Sequence, residues 1–381
     1  MGRYFASIAL LMAVVAVAPV SFAATRYVIT DDNGGPNTAS VYSLDTTTGA
    51  MTLITVLQAG GRGQGGTFSG FTVALKQDAS CVFVFDSGSS DIAAFARAAR
   101  YGKVGNYSNP VLNSSPFGGS IAITPNGKWL YASYTESQNI GAWRVNSNCS
   151  LSFIAAYVPS VGADSFSTLG VTPNGQGLVV PAPNHQAAEA FRINSNGTLT
   201  DVNFVSWKDV FTCTQQLCFP LGVDFTKDSE LAVFGDSGEP LLSANLTRNG
   251  LTNPQAWPVV NAPGFSFPVL AILGADAYNG SGSLYAGTLG GQVPGEEPQV
   301  ATIKFTEKPL NLQMGTATVI ESPNLLDGQI ATVGNIMIIA EQFNAIGVYR
   351  INSDGSVTLL NTVFDENASS LASFSMYPNT R

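Results

Sequence analysis

Two stretches of this chain match each other at an offset of 48 residues, IAITPNGKWLYASYTESQNIGAWRVNSNCSLSFIAAYV from Ile121 and LGVTPNGQGLVVPAPNHQAAEAFRINSNGTLTDVNFVSW from Leu169. The end of the same unit returns as AIGVYRINSDGSVTLLNTV around Arg350, and weaker copies begin near Phe71, Leu221, Val269 and Gln329. A repeat of this length limits the fold more than any composition does, because each copy must be one supersecondary unit. Every copy holds four short apolar or alternating runs. Pro-Asn-Gly separates the first pair, and Asn-Ser-Asn/Asp-Gly the last. Alternating runs bounded by such turns are antiparallel strands. A four-stranded unit of about 50 residues cannot bury both its faces alone, so copies must stack side by side, as propeller blades do.

First strands fall near residues 71, 121, 169, 221, 269 and 329, and LASFSMYPN at the C-terminus reads as one more. The segment from Arg26 begins instead at a second strand, RYVITDD, and continues through ASVYSL and AMTLITVLQ. The two ends therefore complete one blade together, which removes an exposed sheet edge. The expectation is an all-β fold: one seven-bladed β-propeller domain over residues 24–381, of four-stranded antiparallel blades, closed by the C-terminal strand joining the N-terminal blade. Composition agrees. Of 381 residues 39 are Gly and 20 Pro, and only 11% are charged, which excludes disorder and coiled coil.

Arg3 precedes the apolar stretch Ile8 to Val17, then Pro19 and Ser21-Phe22-Ala23. This reads as a signal peptide over residues 1–23 and a secreted, extracellular protein. A membrane anchor is the rival, since the uncharged run from Tyr4 to Ala24 is about the length a bilayer-spanning helix needs. No membrane association is expected after cleavage. Removing Arg3 leaves 16 basic and 26 acidic side chains, so nucleic acid is not an expected partner. A monomer is expected. Asn106, Asn113, Asn148, Asn196, Asn245, Asn279 and Asn367 open glycosylation sequons, usable in a eukaryotic host. Four cysteines in an exported chain suggest two disulfides. Cys213 and Cys218 enclose only TQQL and pair on that ground, leaving Cys81 with Cys149 by elimination.

The exits of the second strands carry acids in five of seven blades: Asp31 and Asp32, Asp86, Glu136, Asp236 with Glu239, and Glu341. Inner strands of a propeller all run the same way, so these exits gather on one face, where ligands usually sit. Such a ring would bind a divalent cation such as Ca²⁺, with Asp31, Asp86 and Asp236 as candidate ligands, or supply a general base. The blander account is that Asp caps turns at strand ends. His185, the only histidine, lies in PAPNHQAAEAF on the same face and suits proton transfer near neutral pH, or has no role beyond the loop. GGRGQGG at residues 60–66 joins the first blade to the second there. Its Arg62 is a candidate anion contact, and a flexible connection is the alternative. Beyond such a divalent cation, no cofactor is indicated. Arg144, Arg192 and Arg350 recur at the ends of third strands and read as charges that blunt edge pairing.

The Pro-Asn-Gly turn, the aromatic second strand and the Arg-Ile/Val-Asn-Ser turn resemble the lactonase family of seven-bladed propellers, which includes phosphogluconolactonase-like enzymes and fungal carboxymuconate cyclases. The resemblance covers Arg26 to Arg381 and is clearest in ITPNGKWLYASY and VTPNGQGLVV. It implies a His before one first strand, an Arg-His pair before another and an Asn-Glu after a second strand. Here those places hold Gly118, Gly119 and Ser120, then Cys218, Phe219 and Pro220, and then Asp236. Two readings follow. One is a lactonase-like enzyme opening or forming a lactone of a sugar acid or muconate-type substrate, with Asp236 and His185 moving protons and Arg62, Asp86, Glu136 and Glu341 contacting substrate. The other is a noncatalytic extracellular glycoprotein that binds a small ligand, protein or glycan on the propeller face.

Overall fold

The computed structural model describes residues 26–64, 71–99, 101–112, 119–135, 137–162, 164, 168–212, 220–226, 228–236, 240–258, 273–276, 281–287, 299–307, 310–319, 330–341, 344–368 and 373–377. The leader predicted over residues 1–23, and with it the choice between signal and anchor, lies outside them, as do Glu136, Cys213, Cys218, Asn113 and Asn279. No described helix is long and apolar enough to cross a membrane.

The described strands form seven four-stranded antiparallel sheets. The first contains β1 (Arg26–Asp31), β2 (Thr38–Leu44) and β3 (Met51–Gln58). The second is built from β4 (Val73–Leu75), β5 (Cys81–Asp86), β6 (Asp91–Ala96) and β7 (Gly102–Ser108). The third has β8 (Ile121–Ile123), β9 (Trp129–Tyr134), β10 (Asn139–Val145) and β11 (Leu151–Tyr157). The fourth has β12 (Gly170–Val171), β13 (Gly177–Ala182), β14 (Ala187–Ile193) and β15 (Leu199–Ser206). The fifth comprises β16 (Pro220–Phe225), β17 (Leu231–Asp236), β18 (Pro240–Thr247) and β19 (Gly250–Pro258). The sixth comprises β20 (Leu273–Asp276), β21 (Ser281–Gly287), β22 (Gln299–Glu307) and β23 (Leu310–Val319). The seventh has β24 (Ile330–Val333), β25 (Ile336–Glu341), β26 (Ala345–Ile351) and β27 (Val357–Phe364). The last strand, β28 (Ser373–Tyr377), returns to the first sheet and pairs antiparallel with β1, from Tyr27 opposite Tyr377 to Asp31 opposite Ser373.

First strands touch in turn around the molecule. β28 meets β4, β4 meets β8, and β8 meets β12; β13 reaches β16, which meets β20, and β24 links β20 back to β28. The architecture is a β-propeller of four-stranded antiparallel blades. Its apolar core is divided among the joints between neighbouring blades. Phe83, Phe85, Tyr134 and Trp143 pack between the second and third blades. Tyr131, Ile140, Leu178 and Phe191 fill the next joint. Aromatic rings meet edge to face, Phe85 with Tyr134 at 5.5 Å and Trp207 with Phe234 at 4.9 Å, the arrangement their quadrupoles favour.

Local chemistry explains why each blade forms. In TPNGKW, the Thr124 hydroxyl donates to Asn126 Oδ1 at 2.8 Å, and the amide of Trp129 donates back to Thr124 Oγ1. Gly127 sits at φ +66° to close the turn, a conformation that costs glycine little. The second copy repeats the bonds through Thr172 and Asn174. A third, hidden in TKDSEL, uses Thr226 with Asp228, and Ser229 takes φ +64°. The pairing of third with fourth strand shifts register in every blade, for example at Val41/Tyr42, Ala94/Phe95, Ala142/Trp143, Ala190/Phe191 and Val348/Tyr349. A bulge there adds right-handed twist, which lets one blade's outer strands clear the next.

Cys81 at the start of β5 and Cys149 in the turn before β11 form a disulfide across the second and third blades, with Cα atoms 5.5 Å apart. It closes a separation of 68 residues.

Two stability outcomes are expected. Replacing both Cys81 and Cys149 by Ala should cost about 2–5 kcal/mol, read as a lower denaturant midpoint; an unchanged midpoint would show the bridge to be incidental. Met376 of β28 is buried against Val28, Ile338 and Ile346, so Met376→Ala should cost about 2–5 kcal/mol, and deletion of Leu371 to Arg381 more. Unaltered unfolding of the truncated chain would refute closure by the last strand.

Candidate functional site

Second strands end, and third strands begin, at the end of the propeller where each blade hands the chain to the next. Asp31 ends β1 and Asp32 follows it, and as consecutive extended residues they face opposite sides of the sheet. Asp31 turns toward the second blade, where it accepts from Thr72 Oγ1 at 2.5 Å and from the Asn33 amide at 3.1 Å. Asp32 turns toward the chain's C-terminal segment. Thr38 and Ser40 donate to it, and the Thr30 hydroxyl lies within reach of both Asp32 Oδ1 (2.8 Å) and Asp365 Oδ2 (3.1 Å). Ser40 Oγ likewise reaches Asp365 Oδ1 at 3.2 Å.

Asp86 ends β5 and holds the glycine-rich connector. The Gly61 amide donates to its Oδ2 at 3.1 Å, and Asn37 Nδ2 to its Oδ1 at 2.9 Å. Gly61 has no room for a side chain: a Cβ would lie 2.3 Å from the Asp86 carboxylate. Gly63 is pressed as closely on the Asn33 backbone. These glycines are therefore required for contact, and the connector is docked rather than loose. Arg62 is fixed through its main chain, its amide donating to Ser89 Oγ and its carbonyl accepting from Gly88. Its side chain is exposed, with no ion pair among the described residues.

Asp31, Asp32 and Asp86 are all fully buried. Burial is the main cause that pushes Asp31 up to about 6, Asp32 to about 7 and Asp86 to about 8. The charge of Asp365 adds to the effect on Asp32, and those of Asp91 and Asp31 to that on Asp86. The acids predicted as an open ring are, at these positions, inside the joints between blades and surrounded by donors. Among the described residues no group of three His, Cys, Asp or Glu is arranged to hold a metal ion. Asp236 and Glu341 end β17 and β25 as expected, with their side chains outside what the structure describes.

His185 closes a single 3-10 turn, Pro183–His185, between β13 and β14. Its Nδ1 lies 2.8 Å from Oδ2 of Asp164, which comes from the connector between the third and fourth blades. Asp164 is buried and also accepts the amides of Asn184 (3.0 Å) and His185 (3.1 Å). Three donors converge on one carboxylate, which fixes the imidazole with Nδ1–H toward the acid. The ring stays 38% exposed, and its far edge lies beside Gly162. Asp164 is absent from the residues the sequence singles out, because VGADSF belongs to no repeated turn. The nearest signal is positional: like GGRG, it lies in a connector that docks on the next blade's second-to-third-strand loop.

At the opposite end, a groove of about 980 Å³ lies between the fourth and fifth blades, bordered by Asn174, Arg192, Asp228, Asn245 and Arg248. None of the residues predicted for catalysis or substrate contact lies in it.

No family profile matches the chain, and no curated protein sequence does. Solved structures do. A 6-phosphogluconolactonase candidate from Bacteroides fragilis superposes with a TM-score of 0.66 at 15% identity, over 94% of this chain and 99% of that one. A second candidate, from Bacteroides uniformis, gives 0.67 at 12% identity, over 92% and 99%. The periplasmic gluconolactonase of Pseudomonas aeruginosa gives 0.68 at 13% identity, over 93% and 98%. At such identities the likeness establishes a shared fold, that of lactonase-like propellers.

The buried acids yield a pH dependence. Their folded-state values lie above the ordinary 3.8, so the folded protein holds protons that the unfolded chain releases. Stability from these groups is complete below pH 3.8 and is lost as pH rises through 6 to about 8. Melting temperature should therefore fall between pH 5 and pH 8.5, roughly the span these shifts cover, and Asp86→Asn should flatten the alkaline end. A flat profile in the parent protein would contradict this placement of the acids.

Proposed function

We propose that this chain is an exported, seven-bladed, lactonase-like propeller that hydrolyses a lactone of a sugar acid or related organic acid at His185. The observation that carries the proposal is the His185–Asp164 pair, a partly exposed imidazole held at the loop face by a buried carboxylate. With Nδ1–H held by Asp164, Nε2 is free to take a proton from water as that water attacks the lactone carbonyl carbon. The tetrahedral intermediate then breaks its ring C–O bond. The imidazolium returns its proton to the departing ring oxygen, and the product is a hydroxy acid that ionises in neutral solution. Asp164 stabilises the imidazolium and fixes the tautomer. Arg62, exposed on the same end of the molecule, supplies a cation for an anionic substituent. The likeness to gluconolactonase propellers supports the substrate class.

A second reading, ligand binding without turnover, is favoured by Ser120. It stands where the lactonase resemblance implies a histidine, and it is fully buried with its amide on Ser133 Oγ at 2.9 Å.

Acid release from sugar and muconate lactones separates the two. His185→Asn should lower kcat by about 100-fold or more at unchanged melting. Asp164→Asn should lower kcat less, because the imidazole loses the partner that orients it. No acid release from any lactone by folded parent protein would leave the binding reading.

A further inference from the structure

The sequons differ in what their amide nitrogens are doing. Asn148 and Asn196 occupy equivalent places in the third and fourth blades, in the tight turns before β11 and β15. Both are exposed. In each, the side-chain oxygen is turned inward and the nitrogen is left out. Asn148 Oδ1 accepts from the Ser150 hydroxyl (2.7 Å) and amide (3.1 Å), and Asn196 Oδ1 from the Thr198 hydroxyl (2.7 Å) and amide (3.2 Å). Neither Nδ2 has a hydrogen-bond partner among the described residues. The seventh blade makes the same turn with Asp354, to which Ser356 donates from Oγ at 2.6 Å. That copy offers a carboxylate and no nitrogen.

Asn106 and Asn367 are the reverse. Nδ2 of Asn106 donates to the Asp91 carboxylate, to the Ala59 carbonyl at 3.2 Å and to Asp86 Oδ2 at 3.4 Å. Three acceptors surround one nitrogen, so no direction is left for a sugar. Nδ2 of Asn367 donates to Asp365 Oδ1 at 3.2 Å and to Ser40 Oγ at 3.4 Å, inside the joint that closes the ring. A sugar there would strip donors from buried acids and leave them unsatisfied.

We propose that the folded protein carries N-linked glycans at Asn148 and Asn196 and none at Asn106 and Asn367. The inference rests on the export reading, which brings the chain to a lipid-pyrophosphate-linked oligosaccharide. Nδ2 attacks C1 of that donor, the C1–O bond to pyrophosphate breaks, the amide gives up one proton, and a C1–N bond forms. Both glycans fall on the end of the propeller opposite the loops that carry His185. They shield the turns of the third and fourth blades and leave the loop face open.

The test is site occupancy in a eukaryotic secretory host, with the full chain carried in once by its own N-terminal segment and once by a substitute leader. Enzymatic deglycosylation in heavy-oxygen water marks each formerly glycosylated Asn by conversion to labelled Asp. Secreted and cell-retained pools are mapped alike, and protease resistance identifies folded chains. Label is expected at Asn148 and Asn196 and absent from Asn106 and Asn367 in the folded fraction. Asn148→Gln and Asn196→Gln should each remove the mass of one glycan while secretion continues. Label at Asn106 or Asn367 in folded chains overturns the assignment, as does a bare Asn148 or Asn196 behind the substitute leader. Failure of the chain's own leader, with sugars at both positions behind the substitute, refutes export and supports the assignment of sites.

Discussion

The hydrogen bonds between β28 and β1 hold everything else in register. A propeller blade is stable only against its neighbours, because its two faces are apolar and its own strands cannot cover them. Each joint, from Phe85 and Trp143 in one to Ile338 and Val348 in another, leans on the next. A ring of this kind has one place where the chain's covalent continuity is missing, and there the pairing of Asp31 with Ser373 through Tyr27 with Tyr377 replaces it. The polar contacts at that place have the same purpose: Thr30 and Ser40 bridge Asp32 to Asp365, so a residue near each end of the chain shares one buried network.

The two features of the loop face arise from a single device used with opposite polarity. Two of the connectors between blades, the one after β3 and the one after β11, dock onto the following blade's second-to-third-strand loop. In the first connector the carboxylate, Asp86, belongs to the receiving loop and captures a backbone amide from Gly61. In the third the carboxylate, Asp164, belongs to the connector and captures amides from the receiving loop, and with them the His185 ring. The first arrangement buries its acid completely and yields a structural joint with raised acidity. The second leaves a titratable ring at the surface with one nitrogen already committed. Of the two arrangements, only the second presents a partly exposed titratable group.

Much of the fold is legible in the sequence because its signals are local. Thr-Pro-Asn-Gly closes through its own side chains, and the Asn-Ser-Asn-Gly turn does the same. The repeat thus displays the strands, their order and the shared first blade, and the disulfide of Cys81 with Cys149 follows only once Cys213 is assigned to Cys218. The site is less legible. Asp31 and Asp32 mark a strand end correctly, yet which of them faces which neighbour, and whether water reaches either, is decided by Thr72 and Asp365, distant in sequence. Asp164 leaves no trace, since its partner is selected by where a connector lands. The third turn, built on Asp228 and Ser229, is missed by a search for Pro-Asn-Gly although its hydrogen bonds are the same.

The shared blade also imposes an order on events during synthesis. The segment that supplies β1 to β3 leaves the ribosome before blades two to seven, and the strand that completes its sheet leaves after them. Until then β1 presents an unpaired edge, a known invitation to mispairing. Blades two to seven are sequence-contiguous and can assemble as they emerge, but the first must wait for β28 before it is whole. A ribosome stalled anywhere short of Tyr377 therefore leaves an open arc with two unfinished ends, and quality control has a structural criterion for completeness: whether any strand edge is still available at the seam.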